Sequence, residues 1–322
     1  MRQTSEFSLI KTYFSALTPE RDDVTLGIGD DCALLAPPAN MELATSVDTL
    51  VSGVHFFADV DPYKLGHKAL AVNLSDLAAM GAQPAWFTLA LTLPEATPDW
   101  LQAFSAGMAD LAKQHNLQLI GGDTTRGPLA ITIQVTGFVA PQQALRRDAA
   151  KPGDSIFVSG TLGDAGAGLL LKQGQLPGDI LNEQDQQFVI DRLELPSPRN
   201  KLALQLSGES QAAIDISDGL LADLKHILTA SQVGATINTS ALPLSAALQK
   251  LPAELALKLA LTAGDDYELC FIVPADKARM LEAKHAGQIK RIGEITASME
   301  LTLLPDNIAN KLDWNAGYDH FS

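Results

Sequence analysis

Residues 129–139, LAITIQVTGFV, alternate with a period of two. Ile131, Ile133 and Val135 fall on one side, Thr132, Gln134 and Thr136 on the other. That pattern predicts a strand with one face against helices and a polar face toward water or a second subunit. AWFTLALTL, from residue 85, reads the same way, and VTLGIG from 24 and MELATSV from 41 read as further strands. Between them, DPYKLGHKALAVNLSDLAAMGA (61–82) reads as one or two helical segments. TPDWLQAFSAGMADLAKQH (97–115) carries a helical apolar stripe of Trp100, Leu101, Phe104, Met108 and Leu111, with Thr97 placed to cap and Pro98 suited to the first turn. Such a stripe is core.

The second half repeats a strand–turn–helix plan, first in SIFVSGTLGDAGAGLLLK (155–172) and again in AAIDISDGLLADLKHIL (212–228). YELCFIV (267–273) and the segments after 288 add strands. Alternating strand and helix signals over the whole length predict an α/β (α+β) fold. Charge, proline and glycine cluster at RRDAAKPGD (146–154), which places a domain boundary there. The expected domains are 1–148 and 149–322, and a chain of 322 residues suits two cores better than one.

Composition narrows the partners. Asp and Glu number 38 against 23 Lys and Arg, a formal net charge of −15. Such a field repels phosphate backbones and anionic lipid, so neither nucleic acid nor membrane is expected as a partner. The N-terminal stretch has no sustained apolar segment and no run reaches a membrane span, which gives a soluble, cytoplasmic protein as the expectation. Cys32 and Cys270 match no zinc or CxxC spacing and read as reduced thiols.

Several chemistries find no template. G-x-x-x-x-G-K-[ST] is missing, as are a kinase catalytic loop, a nucleophile elbow and HExxH. The turn with Gly160, Gly163, Gly166 and Gly168 is either a backbone cradle for phosphate or a plain tight turn. His67, His115, His226 and His285 are scattered and read as surface or core residues.

The acidic turns stand out. GIGDD (27–31), SVDT (46–49), NLSD (73–76), GGDTT (121–125), DISDG (215–219) and GDD (264–266) recur along the chain. Each has an ordinary explanation: Ser217 or Asp218 as an N-cap, Asp123 in a turn, Asp76 capping a helix after a break at 73–75. As a set they differ, because Asp48, Asp123 and Asp215 fall where apolar strands are expected to end, and strand ends are where α/β folds place sites. Carboxylates with Ser, Thr and backbone oxygens suit hard divalent ions, chiefly magnesium bridging to substrate phosphates.

GIGDDCALL, SVDTLVSGVHF, KALAVNLSDLAAMGAQP, IGGDTTRG, IDISDGLLADL and DDYEL occur in this order, and in that order they resemble the thiamine-monophosphate kinase family. The superfamily includes aminoimidazole ribonucleotide synthetase and selenophosphate synthetase. The resemblance runs from about residue 5 to the terminal GYDHF. It implies two domains, each a mostly antiparallel or mixed sheet with helices packed on one side, and a homodimer built through the N-terminal sheets. It also implies magnesium-assisted, in-line transfer of a phosphoryl group from ATP to thiamine monophosphate, with several magnesium ions. Asp31, Asp48, Asp76, Asp123, Asp215 and Asp218 resemble the metal ligands, with Ser46 and the Val47 backbone beside them and Asp30 as an alternative to Asp31. Gly122, Asp123, Arg147 and Ser217 match nucleotide contacts, and His55, Asp265 and Tyr318 match substrate contacts. The family commonly reads GGEDYEL where this chain has AGDDYEL, so Asp265 is one methylene shorter than the usual Glu. The acceptor is itself a phosphate, so no catalytic general base is expected. A metal- or thiamine-phosphate-binding protein without turnover and another ATP-using member of the superfamily are the competing readings.

Overall fold

The computed structural model describes residues 6–176 and 179–305. Residues 1–77 with 82–142 form one unit and 78–81 with 143–322 a second.

In the first unit, α1 (Glu6–Tyr13), β1 (Val24–Leu26) and β2 (Leu34–Leu35) precede β3 (Glu42–Val51), α2 (Pro62–Ala79), β4 (Gln83–Leu93), α3 (Pro98–Gln114), β5 (Gln118–Arg126) and β6 (Ala130–Val139). The sheet order is β3-β6-β4-β5, antiparallel except for the β4–β5 pair, which α3 connects. Ile131, Ile133 and Val135 are at most 1% exposed, as their alternation predicts. On the other face Thr45, Gln134 and Thr136 form a hydrogen-bonded patch, in which Gln134 Nε2 donates to Thr45 Oγ1 at 2.6 Å and to Thr136 Oγ1 at 2.9 Å, and Thr132 bonds to Thr49 at 2.9 Å. One end of that face is covered: Trp86 meets Phe138 edge-on with centroids 5.0 Å apart, and Val24, Ala33 and Met41 pack against them.

Two sequence expectations change here. Residues 62–79 are one continuous helix, so 73–75 is not a break. The buried Asn73 side chain donates to the Ala69 carbonyl one turn back at 3.0 Å, which keeps a polar residue compatible with the helix. Thr97 occupies the cap position of α3 but makes no side-chain cap bond, and Pro98 alone marks the start.

The second unit contains β7 (Ser155–Ser159), α4 (Asp164–Lys172), α5 (Glu183–Glu194), α6 (Asn200–Leu206), β8 (Ala212–Asp215), α7 (Leu220–Ser231), β9 (Gly234–Asn238), α8 (Ala253–Thr262), β10 (Leu269–Val273), α9 (Ala275–Lys284), β11 (Ile289–Thr296) and β12 (Leu301–Leu304). Its sheet order is β12-β9-β11-β7-β10-β8, antiparallel except for β12–β9. Helices on one side were expected; this sheet is covered on both. Ile156, Val158, Ile214 and Ile272 pack with Leu220, Leu224 and Ile227 of α7. Phe157, Ala213 and Phe271 pack with Leu202 and Leu206 of α6 and Leu281 of α9. The reason lies in SIFVS and LCFIV, runs buried at every position where a one-sided strand would alternate.

The glycine-rich turn resolves as close packing. A Cβ on Gly163 would lie 2.6 Å from the Ala260 nitrogen, and one on Gly168 2.2 Å from the Val189 carbonyl oxygen. The Gly163 N–H, at the start of α4, donates to Asp266 Oδ2 at 2.6 Å, so a protein carboxylate takes the place a phosphate would have filled.

Candidate functional site

In the first unit, Ser46 and Asp48 share one face of β3, two residues apart. Ser46 Oγ donates to Asp76 Oδ2 of α2 at 2.5 Å, and the Asp48 N–H donates to Asn73 Oδ1 at 3.1 Å. β3 is an edge strand, so some of its N–H groups point away from β6, and Asn73 satisfies one of them. Thus Ser46, Asp48 and Asp76 come together, with the Val47 side chain turned to the opposite, exposed face. Asp48 lies inside β3 rather than where it runs out: an edge strand keeps its ladder to β6 through polar residues as well as apolar ones.

His55 follows β3 in a tight turn. Its Nδ1 accepts the Val51 N–H at 2.9 Å, and its own N–H donates to the Val51 carbonyl at 3.0 Å. An accepting Nδ1 leaves Nε2 to carry the proton in the neutral ring. Asp30 and Asp31 are exposed, and the Asp31 N–H donates to Asp30 Oδ1 at 2.8 Å. Asp30 therefore supports the turn with one carboxylate oxygen.

Gly122 and Asp123 lie within β5, again inside a strand instead of at its end. Gly122 has φ 155°, and a Cβ there would sit 1.9 Å from the Leu89 carbonyl oxygen, so β4 requires the glycine. β3 and β5 are opposite edges of the sheet. Three strand spacings, about 14 Å, separate their backbones. The sheet by itself therefore does not bring Asp123 to Asp48.

In the second unit, Asp215 does close β8, and two loops meet beyond it. The Ile216 N–H donates to the Glu268 carbonyl at 2.8 Å, the Tyr267 N–H to the Ile216 carbonyl at 2.8 Å, and the Asp265 N–H to the Ser217 carbonyl at 2.9 Å. Gly264 permits this contact, since a Cβ there would lie 2.3 Å from the Ser217 oxygen. Asp215, Ser217, Asp218 and Asp265 are thereby brought to adjacent loops.

Neither Ser217 nor Asp218 caps α7, as sequence had allowed. Gly219 is the N-cap residue, and Asp223 reaches back from inside the helix: its Oδ2 accepts the N–H groups of Ser217, Asp218 and Gly219 at 3.1, 3.0 and 3.0 Å. Burial pushes the Asp223 carboxyl up to about 7, against the pull of those N–H bonds. Asp265 sits at φ 65° and Tyr267 at φ 49°, and Tyr267 Oη donates to Asp265 Oδ1 at 3.1 Å. Sequence reasoning missed Asp223 and Tyr267. Asp223 lies five residues past Asp218 on the buried face of its helix, which was the available signal.

Arg147 is exposed and its carbonyl accepts from Ser231 Oγ at 2.7 Å. Its neighbour Arg146 pairs instead with Asp148 at 2.6 Å and holds that carboxyl below the usual range. Tyr318 lies outside the described residues. Both cysteines are free thiols, Cys32 exposed and Cys270 buried.

Among the described residues, no three His, Cys, Asp or Glu side chains gather closely enough to cage a metal ion. The donors present are small all-oxygen sets, such as Ser46 with Asp76. Magnesium is commonly held by one or two carboxylates plus substrate phosphates and water, so these sets fit magnesium carried with a nucleotide better than an all-protein cage. Among the described residues no helix is long and apolar enough to cross a membrane.

Comparison with known proteins adds identity to this geometry. Residues 29–139 match the AIR synthase related protein N-terminal domain, and residues 151–304 match its C-terminal domain. The thiamine-monophosphate kinase of Escherichia coli (strain K12) is 50% identical over 322 residues, covering 98% of each chain. The crystal structure of the thiamine-monophosphate kinase from Stenotrophomonas maltophilia K279a is 49% identical with a TM-score of 0.84, over 88% of this chain and 92% of that one. AaThiL complexed with AMPPCP and TMP is 30% identical with a TM-score of 0.78, over 100% of this chain and 99% of that one.

Proposed function

We infer the activity from kinship: the chain belongs to the thiamine-monophosphate kinase family, and it transfers the γ-phosphoryl group of ATP to thiamine monophosphate, giving thiamine diphosphate and ADP. The observation that carries this is the end-to-end match to kinases of that name, one related structure of which holds both AMPPCP and TMP.

The two reacting phosphates are both anionic, so the chain's task is to position them and offset their charge. Asp31, Ser46, the Val47 carbonyl, Asp48, Asp76, Asp123, Asp215 and Asp218 would hold several magnesium ions. When bound, these ions neutralise phosphate oxygens and stabilise charge on the transferring group. Gly122, Asp123, Arg147 and Ser217 contact the nucleotide. Arg147 is the cationic member of that set and Ser217 a hydroxyl donor. His55 contacts the substrate, and Asp265 and Tyr318 supply the carboxylate and the aromatic ring suited to its thiazolium cation. The acceptor's second pKa is near 6, so at neutral pH it is mostly ionised and needs no base. The N-terminal domain, 1–148, carries most of the metal-binding aspartates, and the C-terminal domain, 149–322, the remaining nucleotide and substrate contacts.

The working form is a cytoplasmic homodimer. The Thr- and Gln-bearing face of the first sheet, with Val47 58% exposed on its edge strand β3, supports a partner there.

Incubation with ATP, magnesium and thiamine monophosphate tests the reading. Thiamine diphosphate should appear, with ADP release that depends on thiamine monophosphate. ADP without that dependence would indicate another ATP-using reaction, and no ADP at all a protein that only binds.

A further inference from the structure

Loop 264–268 carries two sets of groups that face different surroundings. Asp265 is partly exposed, and its backbone is tied to the 216–219 loop. Asp266 and Glu268 turn inward and are at most 1% exposed. Both oxygens of Glu268 are fully engaged. Oε2 accepts from Ser159 Oγ at 2.5 Å and Arg199 Nε at 2.6 Å. Oε1 accepts from Arg192 Nη2 at 3.0 Å and also from Arg199 Nη2. Arg192 Nη2 further donates to the Asp266 carbonyl at 3.2 Å, holding the loop's backbone as well as its side chain. Asp266 in turn accepts the Gly163 N–H. A Cβ on Gly160 would lie 2.2 Å from Glu268 Oε1, so the β7–α4 turn is shaped around this carboxylate.

Buried ion clusters of this kind add little net stability, because desolvating the charges offsets their attraction; their recurrent use is to fix one geometry. The geometry fixed here is the left-handed turn that presents Asp265. We propose that Arg192 and Arg199 are positioning residues for the acceptor substrate, acting through Glu268 and the Asp266 carbonyl on the loop that carries Asp265. The proposal rests on the reading of Asp265 as a substrate contact. Arg199 grips both Glu268 oxygens with its planar fork, Nε on Oε2 and Nη2 on Oε1, which the single ammonium of Lys does not reproduce, while Arg192 brings one terminal nitrogen to a carboxylate and a carbonyl together.

Steady-state kinetics on the full chain, with thiamine monophosphate and ATP varied in turn, tests this. Arg192→Lys keeps the charge but removes the Nη2 donor that Glu268 and the Asp266 carbonyl share, and should raise the KM for thiamine monophosphate roughly tenfold while the KM for ATP stays within about twofold. In an Asp265→Asn background the same substitution should add less than about twofold, because the group it positions is already lost. A folded Arg192→Lys protein with unchanged thiamine-monophosphate KM, alongside an Asp265→Asn protein whose KM rises, overturns the proposal and leaves the reading of Asp265 intact. Asp265→Asn with unchanged KM removes that reading and the proposal together, and this arm involves no arginine. If Arg192→Lys does not fold, Arg199→Lys carries the same test at a side chain that is 30% exposed.

Discussion

A single carboxylate oxygen of Asp223 holds the backbone N–H of Asp218 at 3.0 Å, together with those of Ser217 and Gly219. The loop that presents Ser217 and Asp218 is thus shaped from inside α7, and neither of their side chains caps the helix. Asp223→Ala strands the buried Gly219 donor and the partly buried donors of Ser217 and Asp218, which costs about 1–3 kcal/mol of stability. It should also lower turnover by more than that loss of folded protein explains. Asp223→Asn retains an accepting oxygen and should recover part of both. Urea unfolding with turnover per folded molecule checks this; an alanine variant with normal turnover per folded molecule confines Asp223 to stability.

Asp123→Asn removes one negative charge at nearly constant shape from an exposed position in β5. Stability should change by less than about 0.5 kcal/mol, because the residue is at the surface. Turnover should be abolished if Asp123 contacts both metal and nucleotide. Near-wild-type turnover at saturating substrates would make it only a strand residue.

The pH dependence of stability should carry the signature of Asp266. Burial pushes this carboxyl up to about 8 from an ordinary value of 3.8, against the pull of Arg192. The folded chain therefore keeps a proton that the unfolded chain has already lost. Stability from this group is fully present below the unfolded value and is lost as pH rises through about 8. Asp266→Asn keeps an oxygen for the Gly163 N–H and cannot ionise, so its Tm should fall less between about pH 5 and pH 9. Equal slopes for the two proteins would mean that Asp266 is already ionised in the fold.

Much of this was legible in the sequence because it is local. The alternation at 131–136 gave both faces of β6, and the apolar run before Asp215 gave its place at a strand end. Asp48 and Asp76 were legible as candidates but not as neighbours, since their meeting depends on β3 lying beside α2 through Ser46 and Asn73. Arg192 was not legible at all. It sits in EQDQQFVIDRLE, which reads as a solvated helix, and its partner Glu268 is 76 residues away. Long-range charge pairing leaves no period in a sequence.

The open face of the first sheet should carry the dimer. Val47 projects from it, while the reading of Val47 as a ligand concerns its backbone carbonyl. Val47→Lys puts a charge where a partner must pack, at a cost of several kcal/mol if the pair is formed through this face. Light scattering at micromolar concentration should show a dimer for the wild type and a monomer for the variant. A wild-type monomer removes the dimer, and a dimeric Val47→Lys moves it to another surface.

Specificity should reside at Asp265, proposed above as a substrate contact. Thiamine monophosphate bears a permanently cationic ring beside its phosphate, so a carboxylate and an aromatic face distinguish it from other phosphate monoesters. A cation over a ring contributes about 0.5–2 kcal/mol. Tyr318→Ala should therefore raise the KM for thiamine monophosphate and leave that for ATP nearly unchanged, the sign of lost uniform binding. Asp265→Asn should do the same by removing the charge. Asp265→Glu lengthens the carboxylate by one methylene at φ 65°, with the Tyr267 hydroxyl already fitted to the shorter side chain. Asp tolerates the left-handed region better than most side chains, so the Glu variant should lose some stability while keeping its thiamine-monophosphate KM within about threefold. Tyr267→Phe separates the two influences: it removes this one hydrogen bond to Asp265 without changing charge, and should shift the KM less than Asp265→Asn does. If Tyr318→Ala and Asp265→Asn both leave the thiamine-monophosphate KM unchanged, the cation is recognised elsewhere on the chain.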